Sequence, residues 1–160
     1  MHLPWTPVAE TKRAAVPPRV LAPGGTIAGY ASLFGAIDLG GDLVVPGAFA
    51  ASLRTRGARG IRMLFQHDPG EPIGTWEAIR EDVRGLWVEG RLALGVGRAR
   101  EVLALLRQGA VDGLSIGFKA ERARRDRAGI RRLERVDLWE ISVVTFPMLP
   151  GAKVAAVKSF

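Results

Sequence analysis

The chain has 160 residues and is 48% hydrophobic, enough for one domain with a sizeable core and too apolar for a disordered polymer. It holds no cysteine, which excludes a thiol nucleophile, a disulfide framework and any cysteine-ligated metal; with only two histidines, His2 and His67, it also lacks the ligands for a multi-histidine metal site. The net charge of +7 points to an anionic partner but is local, since residues 119–135 hold eight basic residues against three acidic ones.

Residues 1–25 are rich in proline and end in Pro23-Gly24-Gly25, which predicts a flexible basic arm. Pro4, Pro7, Glu10, Lys12 and Arg13 interrupt any apolar run of signal-peptide type. No stretch approaches the roughly 18 apolar residues of a membrane span. A cytoplasmic protein with no membrane partner is therefore expected. Strands are predicted over residues 26–34 and 61–67, the second with Ile61, Met63, Phe65 and His67 alternating with Arg62, Leu64 and Gln66. Residues 73–80 and 86–94 read as a hairpin around a turn at 81–85. Residues 114–123 and 130–146 form a second pair around the basic segment. That segment reads either as a solvated hairpin tip or as a docking patch for an acidic protein or nucleic acid.

Two helices are predicted. One carries Phe49 and Leu53 and stops at Gly57. The other spans 98–108, with an apolar stripe of Val102, Leu105 and Leu106 and Gly109 at its stop position. That stripe packs on the barrel or forms a self-association surface, so a homodimer is one expectation. Residues 151–160 read as a tail. The fold class expected is mainly β (α+β): a compact antiparallel β-barrel over residues 26–150 with two or more peripheral helices.

The chemistry converges on few residues. Gly113-Leu114-Ser115-Ile116-Gly117 matches G-x-S-x-G, but no histidine follows Ser115, so the α/β-hydrolase elbow is excluded. On a strand, Leu114, Ile116, Phe118 and Ala120 face one way and Gly113, Ser115 and Gly117 the other, leaving room beside Ser115 for a histidine and a substrate backbone. A Ser–His mechanism needs His67 as base unless His2 in the arm serves. Three carboxylates compete to orient that imidazole. Asp68 adjoins His67 and would face away on an extended strand. Asp112 is an odd number of residues from Ser115. Glu140 lies in the apolar run Leu138-Trp139-Glu140-Ile141-Ser142-Val143-Val144, on a face expected to include Val136, Leu138, Val144 and Phe146. An unpaired charge there would be costly. Glu140 needs a cation, either an arginine or His67.

At this point the sequence resembles the prohead (capsid maturation) protease family of tailed phages, also found in phage-derived gene transfer particles. The likeness is carried by Gly29-Tyr30-Ala31-Ser32-Leu33-Phe34, Gly41-Asp42, Val45-Pro46-Gly47-Ala48-Phe49, Met63-Leu64-Phe65-Gln66-His67-Asp68, Pro72-Ile73-Gly74, Gly85-Leu86-Trp87-Val88-Glu89-Gly90, Asp112-Gly113-Leu114-Ser115-Ile116-Gly117 and Glu140-Ile141-Ser142-Val143-Val144-Thr145-Phe146-Pro147. It covers residues 27–150. That family is similar to herpesvirus assembly proteases, which implies a β-barrel ringed by helices and a serine nucleophile that follows its histidine. His67 matches the family's histidine motif and Ser115 its serine motif. Glu140 stands where the herpesvirus enzymes have a second histidine. The resemblance implies a serine endopeptidase without metal or cofactor. Its partners would be the major capsid protein and its scaffolding segment, met inside the assembling procapsid. The rival readings are a non-catalytic scaffold-binding barrel and a nucleic-acid-binding barrel. The second lacks an aromatic stacking platform, only Trp139 lying near the basic segment, so nucleic acid is not the expected partner.

Overall fold

Alternation of apolar and polar residues carries the chain into strands, and its glycines and charged clusters mark the turns. The computed structural model describes residues 24–157, so the N-terminal arm expected over 1–25 lies almost wholly outside the described residues. Among these residues the strands are β1 (Thr26–Leu33), β2 (Asp42–Val44), β3 (Arg62–Phe65), β4 (Asp68–Glu81), β5 (Gly85–Leu92), β6 (Gly113–Arg125), β7 (Arg131–Val144) and β8 (Val154–Val157). Helix α1 (Ala50–Arg56) precedes β3, and α2 (Gly97–Gln108) lies between β5 and β6.

The strands form one sheet in the order β2-β7-β3-β4-β5-β1-β8, with β6 on β7 as well. The sheet curls until its ends meet. Gly113 of β6 bridges Lys153, Leu114 N–H donates to Ala152 O at 2.9 Å, and Val154 N–H donates to Asp112 O at 2.8 Å. The fold is the helix-flanked β-barrel expected. Most ladders are antiparallel, but β7 pairs in parallel with both β2 and β3. The α1 segment links β2 and β3, which pair with different stretches of β7.

The tail expected over 151–160 holds a strand in its described part. β8 pairs with β1 and carries the sheet past residue 150. Its few small residues, just after the turn at Pro150-Gly151, give too short a pattern to read as a strand.

The interior holds Phe49, Ile61, Trp76, Leu86, Leu133 and Leu138, each no more than 1% exposed. Helix α2 buries Ala99, Val102, Leu103 and Leu106 in this core, and Leu105 packs against it. The stripe considered for self-association is thus used by the chain's own barrel. Gly109 ends the helix in the left-handed conformation (φ 74°), which glycine adopts without a Cβ penalty. No helix among the described residues is long and apolar enough to cross a membrane.

Candidate active site

The long β6–β7 ribbon sets the geometry. Its core-facing rows are Leu114/Val143, Ile116/Ile141, Phe118/Leu138 and Ala120/Val136. The alternate rows lie on the opposite face of the ribbon, buried at Ser115/Ser142 and increasingly exposed through Gly117/Glu140, Lys119/Asp137, Arg122/Arg135 and Arg124/Arg132. Along β6 the alternation runs unbroken from Leu114 to Ala120. On β7 it breaks, because Gly117 pairs with Glu140 and Phe118 with Leu138, leaving Trp139 as an extra residue. This β-bulge reverses the facing of everything beyond it. Glu140 therefore shares its face with Ser142 and Val144, not with Val136 and Leu138 as strict alternation implied. Trp139 is half exposed, and its indole N–H donates to Asp137 Oδ2 at 2.6 Å. That bond, with the Arg56 guanidinium at 3.0 Å, holds the Asp137 carboxyl below the usual carboxylate range.

His67 arrives from the other side of β7. It is not the last residue of an extended strand. Phe65 and Asp68 pair across a two-residue turn in which Gln66 and His67 both have positive φ, 56° and 59°. This is the pattern of a type I′ hairpin turn, normally filled by Asn and Gly. Left-handed conformations cost non-glycine residues roughly 1–2 kcal/mol each, so neighbouring contacts must enforce them. Gln66 N–H donates to Val143 O at 2.9 Å, and the Gln66 side chain donates to Thr145 Oγ1 at 2.7 Å and accepts from Thr145 N–H at 3.1 Å. His67 N–H donates to Ser142 Oγ at 3.0 Å. Four hydrogen bonds thus clamp the turn to the end of β7. Strain maintained in this way is a frequent mark of a functional site.

The clamp sets the His67 ring against Glu140, with Nδ1 on Oε1. The other carboxylate oxygen, Oε2, accepts from Ser142 Oγ at 2.6 Å. Both side chains are largely shielded, Glu140 at 12% exposure and His67 at 29%. A carboxylate acceptor on Nδ1 fixes the proton there and leaves Nε2 with its lone pair. The acids that competed for this place have other partners. Asp68 Oδ1 accepts from Gly70 N–H at 2.8 Å, and Asp112 pairs with Lys153 at 3.2 Å.

Ser115 lies on the neighbouring strand, directly opposite Ser142, and is 3% exposed. Side chains opposite each other in an antiparallel pair have Cβ atoms about 4.5–5.5 Å apart. Ser115 is therefore one cross-strand step from the residue that touches both His67 and Glu140. The glycine face beside Ser115 is not vacant: the Glu140 carboxylate fills the place opposite Gly117. Ser142 had no assigned role in the sequence. The signal was its spacing, two residues past Glu140 and so on the same face of β7. Among the described residues, no group of three His, Asp or Glu side chains is placed to hold a metal ion.

Residues 17–160 match the family model described as caudovirus prohead serine protease. The chain belongs to that family. A prohead protease of Enterobacteria phage HK97 is 39% identical over 140 residues, which cover 84% of this chain. The chain spans 61% of that protein's length. Among solved structures it is similar to the bacteriophage T4 capsid assembly protease, with a TM-score of 0.58, 16% identity, and 77% of this chain and 82% of that one covered. It is also similar to the KSHV protease in complex with a hexapeptide phosphonate inhibitor, with a TM-score of 0.56, 11% identity, and 82% and 64% covered. These two likenesses show that the fold is shared.

Proposed function

We propose that the chain is a serine endopeptidase that cleaves capsid or scaffold protein during procapsid maturation, with Ser115 as nucleophile, His67 as general base and Glu140 as the residue that orients the imidazole and stabilises its charged form. The observation that carries this reading is the Glu140–His67 contact, enforced by a strained turn and standing one strand from Ser115. Membership of the prohead protease family supports it.

In this mechanism Ser115 Oγ attacks the scissile carbonyl carbon while His67 Nε2 takes its proton. The negative Glu140 carboxylate stabilises the imidazolium that forms. The tetrahedral intermediate collapses, the leaving amine takes the proton from Nε2, and an acyl-enzyme remains on Ser115. Water, deprotonated by the same nitrogen, then releases the product. Ser142 holds the second carboxylate oxygen, so the Glu140 plane stays fixed while charge develops on His67. The substrate is the major capsid protein with its scaffolding segment, met inside the assembling procapsid.

Co-expression with the major capsid protein of the same genome tests this reading. Mass measurement of the capsid protein should show loss of an N-terminal segment with the wild type and the full-length chain with Ser115→Ala. Full-rate processing by Ser115→Ala removes Ser115 from the mechanism.

A further inference from the structure

The outward face of the β6–β7 ribbon does not end at the candidate catalytic residues. Beyond Ser115/Ser142, Gly117/Glu140 and Lys119/Asp137 it continues into two rows in which arginine stands opposite arginine, Arg122/Arg135 and Arg124/Arg132. Arg125 and Arg131 pair next to the turn. Like charges directly opposite destabilise a ribbon, and opposite charges would stabilise it. A hairpin selected only for solubility has no use for stacked arginine rows.

Some of this charge is answered locally. Arg124 pairs with Glu134 at 3.1 Å, Arg132 with Asp126 at 3.4 Å, Arg135 with Glu121 at 3.7 Å and Arg131 with Asp42 at 2.7 Å. Arg122 has no ion pair among the described residues. The paired guanidiniums remain exposed, Arg124 at 74% and Arg135 at 51%.

We propose that this arginine ladder is an exosite for an acidic segment of the polypeptide substrate, positioned by the same ribbon face that presents Ser115. The proposal rests on the reading of Ser115 as nucleophile for its link to cleavage. Arginine forks bind carboxylates in bidentate fashion, and the ladder offers a row of them. At about 3.3 Å per residue, an extended chain cut at Ser115 meets the Arg122 row after roughly seven residues. The interleaved Glu121, Glu134 and Asp126 break the basic row into separate forks, which suits individual carboxylates better than the continuous phosphate charge of nucleic acid. The ladder also carries no aromatic side chain on which bases could stack.

The test uses the full chain and a fluorescent oligoglutamate of about a dozen residues, long enough at ~3.3 Å per residue to cover the ladder. Wild type should bind it at about 0.1 M salt, where exposed charges beyond ~10 Å are screened. Arg122→Glu/Arg124→Glu should weaken binding by about tenfold or more, and in capsid-protein cleavage it should raise KM with kcat kept. Arg122→Gln/Arg124→Gln guards against misfolding and should show a smaller loss in the same direction, with an unchanged melting temperature. Arg54→Glu/Arg59→Glu makes the same change in net charge elsewhere and should bind as wild type does. Equal weakening by the Arg54/Arg59 variant, or undiminished binding by both ladder variants, overturns the exosite. So does tighter binding of a DNA duplex of matched charge than of oligoglutamate. The binding measurement needs no turnover, so failure of the Ser115 assignment would leave it readable.

Discussion

Gly117 of β6 stands directly opposite Glu140 of β7, and the Glu140 carboxylate occupies the space where a side chain at 117 would begin. A Cβ built on Gly117 would lie 2.7 Å from Glu140 Cδ, closer than carbon atoms approach. The atoms in the way belong to the Glu140 side chain, Cγ among them at 2.8 Å, rather than to backbone. Gly117→Ala should therefore push Glu140 off His67, with a loss of stability of about 1–3 kcal/mol from the bonds broken but a native fold. A displacement of about 1 Å in a catalytic constellation costs on the order of a hundredfold in rate. Cleavage rate and melting temperature of this variant, taken together, check the expectation; retained activity would show that Glu140 need not sit where it does.

Ser142 joins the two halves of the site, accepting from the His67 backbone and donating to Glu140. It acts through these groups as a positioning residue. Ser142→Ala should lower kcat by about tenfold to a hundredfold, as loss of one or two hydrogen bonds worth ~1–3 kcal/mol would. KM should stay near its original value. Ser142→Thr keeps the hydroxyl and should recover most of the rate. A KM effect with unchanged kcat would assign Ser142 to substrate binding instead.

The bulge that redirects Glu140 is held from below by α1. Ser52, 4% exposed, donates to Val136 O at 2.8 Å and accepts from Leu138 N–H at 2.9 Å, on residues three and one before Trp139. Ser52→Ala leaves these buried backbone groups without that partner. Denaturant unfolding should show a loss of about 1–3 kcal/mol. A change near zero would mean the bulge is fixed by β6 alone.

Away from the site, Tyr30 O–H donates to Asp82 Oδ2 at 2.5 Å across the barrel edge. Burial pushes the Asp82 carboxyl up, but hydrogen bonds from Tyr30 and from the N–H groups of Arg84 and Gly85 outweigh it and hold the group below its ordinary range. A depressed carboxyl contributes stability above its unfolded pKa, near ~4, and loses it as pH falls through the folded value. Tyr30→Phe should thus be destabilising at neutral pH, by about 1 kcal/mol. The gap to wild type should close on acidification below pH ~4. Melting curves at neutral and acid pH give both quantities; a gap independent of pH would place the Tyr30 contribution in packing.

Where local pattern and geometry agree, the sequence is legible. Leu114 to Ala120 alternate without interruption, so the outward facing of Ser115 follows from period two alone. Helix α2 follows from its 3.6-residue stripe and Gly109. The facing of Glu140 does not follow, because one extra residue at Trp139 reverses the pattern and nothing in Leu138-Trp139-Glu140 marks a bulge. His67 was misplaced for a related reason. Gln-His is not a turn dipeptide, and only long-range hydrogen bonds to Val143, Thr145 and Ser142 hold it in a left-handed turn. The expected partnership of His67 and Glu140 did not depend on these details. It came from the cost of burying a lone carboxylate in an apolar run, and the two side chains are in contact. The parallel pairing of β7 with β3, which makes that contact reachable, joins strands far apart in sequence and has no local signature.

The most direct test of the proposed chemistry is covalent labelling of the full chain with a fluorophosphonate, located by tandem mass spectrometry. An activated serine displaces fluoride and forms an Oγ–P bond. The expected result is a single adduct on Ser115, slowed by about a hundredfold or more in His67→Ala and in Glu140→Ala, as loss of a triad partner slows a nucleophile. An adduct on any other residue, or labelling of Ser115 at full rate without His67, would contradict it.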